Sequence, residues 1–239
     1  MFATSKIVLV YLVLGSVAGL LGIPYCFIIG DIAPLYRVAM RILRSGLRVG
    51  GIDVTVHGLE NVPADRACIF MCNHVSNLDP PVVLPMLPGR SAVLLKRELM
   101  RIPILGTAMR MAKFVPVERS SSREAAQRSV KAAADALHSG LNILVFPEGT
   151  RSLSGRLSPF KKGPFFLARE TQAPIVPVAV SGTQGMMRKG SFAVYPGRAV
   201  VQILPPIDPR NSATREDLMS AVSAALSAAL PAEMRPLPT

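Results

Sequence analysis

Residues 7–30 contain no charged side chain. The run opens Ile7-Val8-Leu9-Val10 and closes Ile28-Ile29-Gly30. As a helix its 24 residues would extend about 36 Å, and a hydrocarbon core is about 30 Å thick. The stretch is longer than the apolar region of a cleaved signal peptide, which favours a retained anchor. Pro24 is expected to kink it, leaving 7–23 as the straighter part. Whether such a helix spans the bilayer or enters one leaflet and returns is left open by composition. Gly15, Gly19 and Gly22 share one face, a surface suited to close helix packing.

The next segment, 34–49, carries Arg37, Arg41, Arg44 and Arg48 at spacings of 4, 3 and 4. On a helix these fall within about 60° of arc, and Leu35, Val38, Ala39, Ile42, Leu43 and Leu47 occupy much of the remainder. No acidic residue interrupts the stripe, so it suits an anionic membrane surface and puts this end on the cytoplasmic side. The whole chain has the same bias, with 27 Lys and Arg against 15 Asp and Glu, a net charge of +12. Nucleic acid is the poorer anionic partner, because only 5% of residues are aromatic and there is no basic low-complexity tail. A mean hydropathy of +0.38 points again to a membrane. Cys26, Cys68 and Cys72 lie in apolar runs without a zinc-ligand pattern, so they read as buried, reduced thiols and no metal is expected.

From residue 51 the pattern becomes α/β, with strands expected at 52–56, 67–72, 92–95, 114–117, 141–146, 175–180 and 199–204. Helices are expected at 81–87, 124–138, 163–171 and 215–230. The organisation is therefore an anchor and basic helix over 1–50, one α/β domain over 51–230 and a proline-rich, frayed tail over 231–239.

Within that domain the richest stretch is Asn73-His74-Val75-Ser76-Asn77-Leu78-Asp79-Pro80-Pro81. An apolar strand delivers His74 at its end, where α/β folds place reactive groups. Asp79 before Pro80 reads as an N-cap followed by N1. Five residues apart, His74 and Asp79 cannot share one helical face. A loop histidine and a helix-start aspartate can, however, turn toward each other. That pairing fixes the imidazole tautomer and leaves the second nitrogen as a general base. A second block, Phe146-Pro147-Glu148-Gly149-Thr150-Arg151-Ser152, also follows an apolar strand. Gly149 allows a sharp turn, and Arg151 offers a fork of donors suited to phosphate.

The Asn73-His74-x4-Asp79 stretch and the Glu148 block, in this order and separation, resemble two motifs of the glycerolipid acyltransferases, which include the 1-acylglycerol-3-phosphate acyltransferases. Phe114-Val115-Pro116-Val117-Glu118-Arg119 and Ile175-Val176-Pro177-Val178 resemble two further motifs, and the likeness covers roughly 55–205. It implies a single mixed-sheet acyltransferase domain in which His74 and Asp79 are catalytic. Asn73, Lys96, Arg119, Glu148, Gly149, Thr150 and Arg151 would bind substrate, with Lys161 or Lys162 as further phosphate contacts.

The implied reaction moves an acyl group from acyl-CoA or acyl-carrier protein, as co-substrate and with no cofactor, to the sn-2 hydroxyl of lysophosphatidic acid. Backbone amides near 73–81 or 148–151 are candidate oxyanion donors. The same chemistry on glycerol 3-phosphate, another lysophospholipid or an amino-acid lysolipid is the nearest alternative. A serine hydrolase is disfavoured because there is no Gly-x-Ser-x-Gly elbow and Ser76 lies too close to His74. A purely membrane-tethering protein would leave both polar motifs unexplained.

Overall fold

The computed structural model describes residues 2–117, 123–187 and 191–237. Seven strands form one sheet: β1 (Ile52–His57), β2 (Ile69–Cys72), β3 (Ser91–Lys96), β4 (Val115–Val117), β5 (Asn142–Val145), β6 (Ile175–Ser181) and β7 (Gly197–Ile203). Their order is β1-β7-β6-β2-β5-β3-β4. Only β6 and β7 pair antiparallel, so β1 and β7 run against the other five and the sheet is mixed, as expected.

The central strand β2 lies between β5 and β6, with Ile69 opposite Ile143 on one side and Ile175 on the other. All four of its residues are buried. A strand covered on both faces has no need of polar alternation, which is why Ile-Phe-Met-Cys reads as an unbroken apolar run. One face is covered by α5 (Arg123–His138), α6 (Gly163–Thr171) and α8 (Arg215–Ala229), through Leu137, Phe165, Leu218, Val222 and Leu226. The other face receives α2 (Ala33–Val49) and α3 (Asp79–Val83), through Leu47, Val82 and Val83. Tyr36 ties α2 to the sheet: its hydroxyl accepts from Ser91 N at 3.0 Å and donates to Ser91 O at 3.3 Å.

The first helix, α1 (Phe2–Ile29), packs on α2 and keeps most of its apolar side chains exposed. It runs continuously through Pro24. Tyr11 lies against Gly46 of α2 and Ile7 against Gly50, where a Cβ on either glycine would overlap the neighbour. Gly19 meets a different partner, Ile104, just before α4 (Leu105–Met111). That helix was not anticipated from its sequence.

The tail departs from expectation. Residues 232–234 form a 3-10 turn and Met234 is buried, with its carbonyl accepting from Leu157 N at 2.8 Å. Arg156 Nη1 donates to Arg235 O at 3.0 Å.

Candidate active site

β2 ends in the loop that carries His74, and α3 begins at Asp79, one position earlier than the cap reading, so Pro80 is its second residue. The shift frees the Asp79 carboxylate to turn back over the loop. Its Oδ2 lies 2.8 Å from His74 Nδ1 and also accepts from Val75 N at 2.7 Å and Ser76 N at 2.8 Å. Its Oδ1 accepts from Thr183 Oγ1 at 2.5 Å. Asp79 is wholly buried while the His74 side chain is 17% exposed. The carboxylate only accepts, so His74 Nδ1 carries the proton and Nε2 presents a lone pair. Phe146 stacks on the ring at 4.2 Å between centroids, limiting its rotation.

The second motif grips the same histidine through its backbone. Glu148 Oε1 accepts from His74 N at 2.6 Å, Glu148 Oε2 from Ser158 N at 2.9 Å, and Ser152 N donates to His74 O at 2.8 Å. Glu148 is buried, and burial pushes its carboxyl above the ordinary range against the lowering effect of these two amides. Cys72, the last residue of β2, is buried beside both carboxylates, and burial foremost drives its thiol up.

Two residues expected to bind substrate have their side chains engaged within the fold. Asn73 is buried, with Oδ1 accepting from Val180 N at 2.7 Å and Nδ2 donating to Val180 O at 2.9 Å, which clasps β2 to β6. Glu148 is spent on backbone amides, because a buried carboxylate needs donors that the turn supplies. Several amides expected as oxyanion donors are likewise engaged: those of His74, Val75, Ser76, Leu78 and Gly149 all donate within the fold.

The cationic residues expected at the site follow β3 and β5. Lys96 is exposed at the end of β3, and β3 neighbours β5 in the sheet. Thr150 and Gly149 are exposed and Arg151 is half-buried in the loop after β5. The stem of Lys161 passes over Gly149, whose φ is +72°. Arg119 lies outside the described residues. Thr183 was not anticipated: it is 104 positions from Asp79, and no local spacing links the two.

Residues 53–181 match the family described as Acyltransferase. A 1-acyl-sn-glycerol-3-phosphate acyltransferase of Limnanthes douglasii is 36% identical over 158 residues, which is 66% of this chain and 56% of that protein. The alpha enzyme of the same description from Homo sapiens is 32% identical over 83% of this chain and 70% of its own length. The chain thus spans little more than half of the plant relative. The crystal structure of the Thermotoga maritima 1-acyl-sn-glycerophosphate (LPA) acyltransferase, PlsC, superposes with a TM-score of 0.80 at 28% identity. It covers 95% of this chain and 91% of that one.

Proposed function

The chain belongs to the acyltransferase family, and from that premise we propose that it transfers a fatty acyl group from an acyl thioester to the sn-2 hydroxyl of 1-acylglycerol 3-phosphate, giving phosphatidic acid. The observation that carries the reading is the His74–Asp79 pair, a buried carboxylate holding Nδ1 at 2.8 Å and leaving Nε2 for chemistry.

In the proposed sequence Nε2 of His74 takes the hydroxyl proton as the oxygen attacks the thioester carbonyl. The tetrahedral intermediate then collapses, the C–S bond breaks, and the imidazolium returns its proton to the departing sulfur. A free thiol and an ester result. Lys96, Arg151 and Lys161, with Arg119 supported by its sequence motif alone, are the groups we assign to the acceptor phosphate. A clamp on that phosphate selects which hydroxyl meets Nε2, which is catalysis by positioning. The thioester donor is acyl-CoA or acyl-carrier protein.

Membrane attachment is assigned to α1, whose exposed face includes Leu9, Leu12, Leu20 and Leu21. The arginines of α2 set the catalytic domain against the anionic cytoplasmic surface. Two of the named relatives support the acceptor, since they are described as acting on 1-acylglycerol 3-phosphate. The test is release of free thiol when purified protein meets lysophosphatidic acid and a panel of acyl thioesters. His74→Ala should abolish release while the protein stays folded. Turnover by folded His74→Ala protein would remove the general base, and preference for an acceptor without the phosphomonoester would remove the assigned acceptor.

A further inference from the structure

The Asp79 carboxylate is held unevenly. All three donors to Oδ2 come from the adjacent loop, His74 to Ser76. Oδ1 is reached from elsewhere, by the hydroxyl of Thr183 at 2.5 Å. Both Asp79 and Thr183 are wholly buried, so water cannot replace that bond.

Thr183 opens α7 (Thr183–Met186), directly after the β6 strand and Gly182. Gly182 has φ +89°, and a Cβ there would overlap the carbonyl oxygen of Arg198 on β7, so only glycine makes this turn without strain. The turn is stitched to the dyad loop at two further points. Asn73 clasps Val180 through both amide atoms, and Ser76 Oγ donates to Met187 O at 3.0 Å. Gln184 Nε2 reaches Met234 Sδ at 3.4 Å, which anchors α7 to the docked tail. The second oxygen of the aspartate therefore has a donor whose own backbone is fixed.

We propose that Thr183 is a positioning residue of the dyad, its buried hydroxyl setting the plane of the Asp79 carboxylate and hence the direction of His74 Nε2. This role rests on the acyl-transfer reading. A carboxylate held only through Oδ2 can rotate about that oxygen, and the imidazole follows it. Loss of the hydroxyl also concentrates negative charge on the oxygen facing His74, which favours the imidazolium and removes the free base at low pH. The acid limb of the rate profile therefore moves upward. Two titratable groups face the dyad from other elements, Glu148 at the His74 backbone and the Cys72 thiol at the end of β2.

The test compares Thr183→Val, which keeps the shape and removes the hydroxyl, with Thr183→Ser, which keeps the hydroxyl. In the valine variant kcat should fall about tenfold or more with the acceptor KM nearly unchanged, as for an interaction that orients a base. Its acid limb in kcat/KM should move up by about one pH unit, and serine should restore both. A readout independent of turnover is the pH midpoint for diethyl pyrocarbonate modification of His74, with His57 and His138 replaced by Gln. It should rise in the valine variant alone.

Valine protein with the wild-type kcat, acid limb and modification midpoint would overturn the proposal, as would serine protein as impaired as valine. Wild-type protein that releases no thiol from any acyl thioester would instead defeat the acyl-transfer reading. The modification midpoint would still report on the contact between Thr183 and Asp79.

Discussion

Glu148 holds His74 by its backbone: the glutamate Oε1 accepts from His74 N at 2.6 Å, and four positions on Ser152 N donates to His74 O at 2.8 Å. The second motif thus grips the first at both peptide groups flanking one residue, and the imidazole projects from a fixed main chain. Asp79 then needs to govern only the side-chain torsions, with Phe146 against the ring.

Glu148→Gln should therefore act on turnover before it acts on acceptor binding. The amide presents one donor where two backbone N–H groups require acceptors, so one of these contacts becomes donor against donor. We expect kcat to fall about 10- to 100-fold with KM for lysophosphatidic acid changed far less. Steady-state kinetics over acceptor concentration checks this. A rise in KM at constant kcat would return Glu148 to the substrate-binding group.

The same carboxylate makes stability depend on pH in a definite direction. Burial raises its pKa in the folded protein above the ordinary glutamate value of 4.5. A raised folded value means that the native state holds the proton more tightly than the unfolded chain does. The stabilising contribution is thus complete below 4.5 and is lost as pH rises through the raised value. The glutamine variant has no such group. Its Tm should therefore gain on the wild type as pH climbs above 4.5, measured by thermal unfolding in one detergent across a pH series. A wild-type advantage that grows with pH would reverse the sign.

The seven strands were legible because each is a short apolar or alternating run, and helices cover both faces of the central ones. His74 and Asp79 were legible because their partnership is local. The partnerships of Asn73 and Glu148 have long-range reasons. Asn73 and Glu148 carry polar side chains beside a histidine, as ligand-binding residues would. Their partners, Val180 and Ser158, are main-chain groups that no side-chain pattern encodes. Thr183 was hidden for the same reason, since β6 brings it to Asp79 only after the sheet has formed. α4 was missed because it follows Ile104, a β-branched residue at φ +63°, where local propensity argues against a helix start.

Gly149→Ala and Gly155→Ala separate backbone strain from site geometry. Both glycines have positive φ, +72° and +75°, so each alanine should cost about 1 kcal/mol in denaturant unfolding. At Gly149 the new Cβ would lie 3.2 Å from Lys161 Cγ, whereas at Gly155 nothing lies within 4 Å. Only Gly149→Ala should displace the Lys161 stem and raise the acceptor KM. Equal KM values in the two variants would take Lys161 out of the phosphate site.

The arginine stripe of α2 divides in the structure. Arg37, Arg41, Arg44 and Arg48 are all exposed, but Arg44 is also committed to the domain, with Nε donating to Pro85 O at 2.8 Å and Nη2 to the same carbonyl. Three guanidiniums are thus placed to meet an anionic surface, each contributing about 1 kcal/mol at low salt. Arg37→Gln, Arg41→Gln and Arg48→Gln combined should weaken partition onto phosphatidylserine-containing vesicles by about two orders of magnitude. The difference should shrink in concentrated salt, because screening shortens the reach of exposed charges. Binding to neutral phosphatidylcholine vesicles should change little, since there the exposed apolar face of α1 supplies the attraction. Arg44→Gln should behave differently, lowering thermal stability and leaving the salt dependence almost intact. Flotation of the variants with vesicles at two salt concentrations tests all of this. If the triple variant keeps wild-type affinity for anionic vesicles at low salt, the stripe is a solvated face and α1 attaches the protein without electrostatic help.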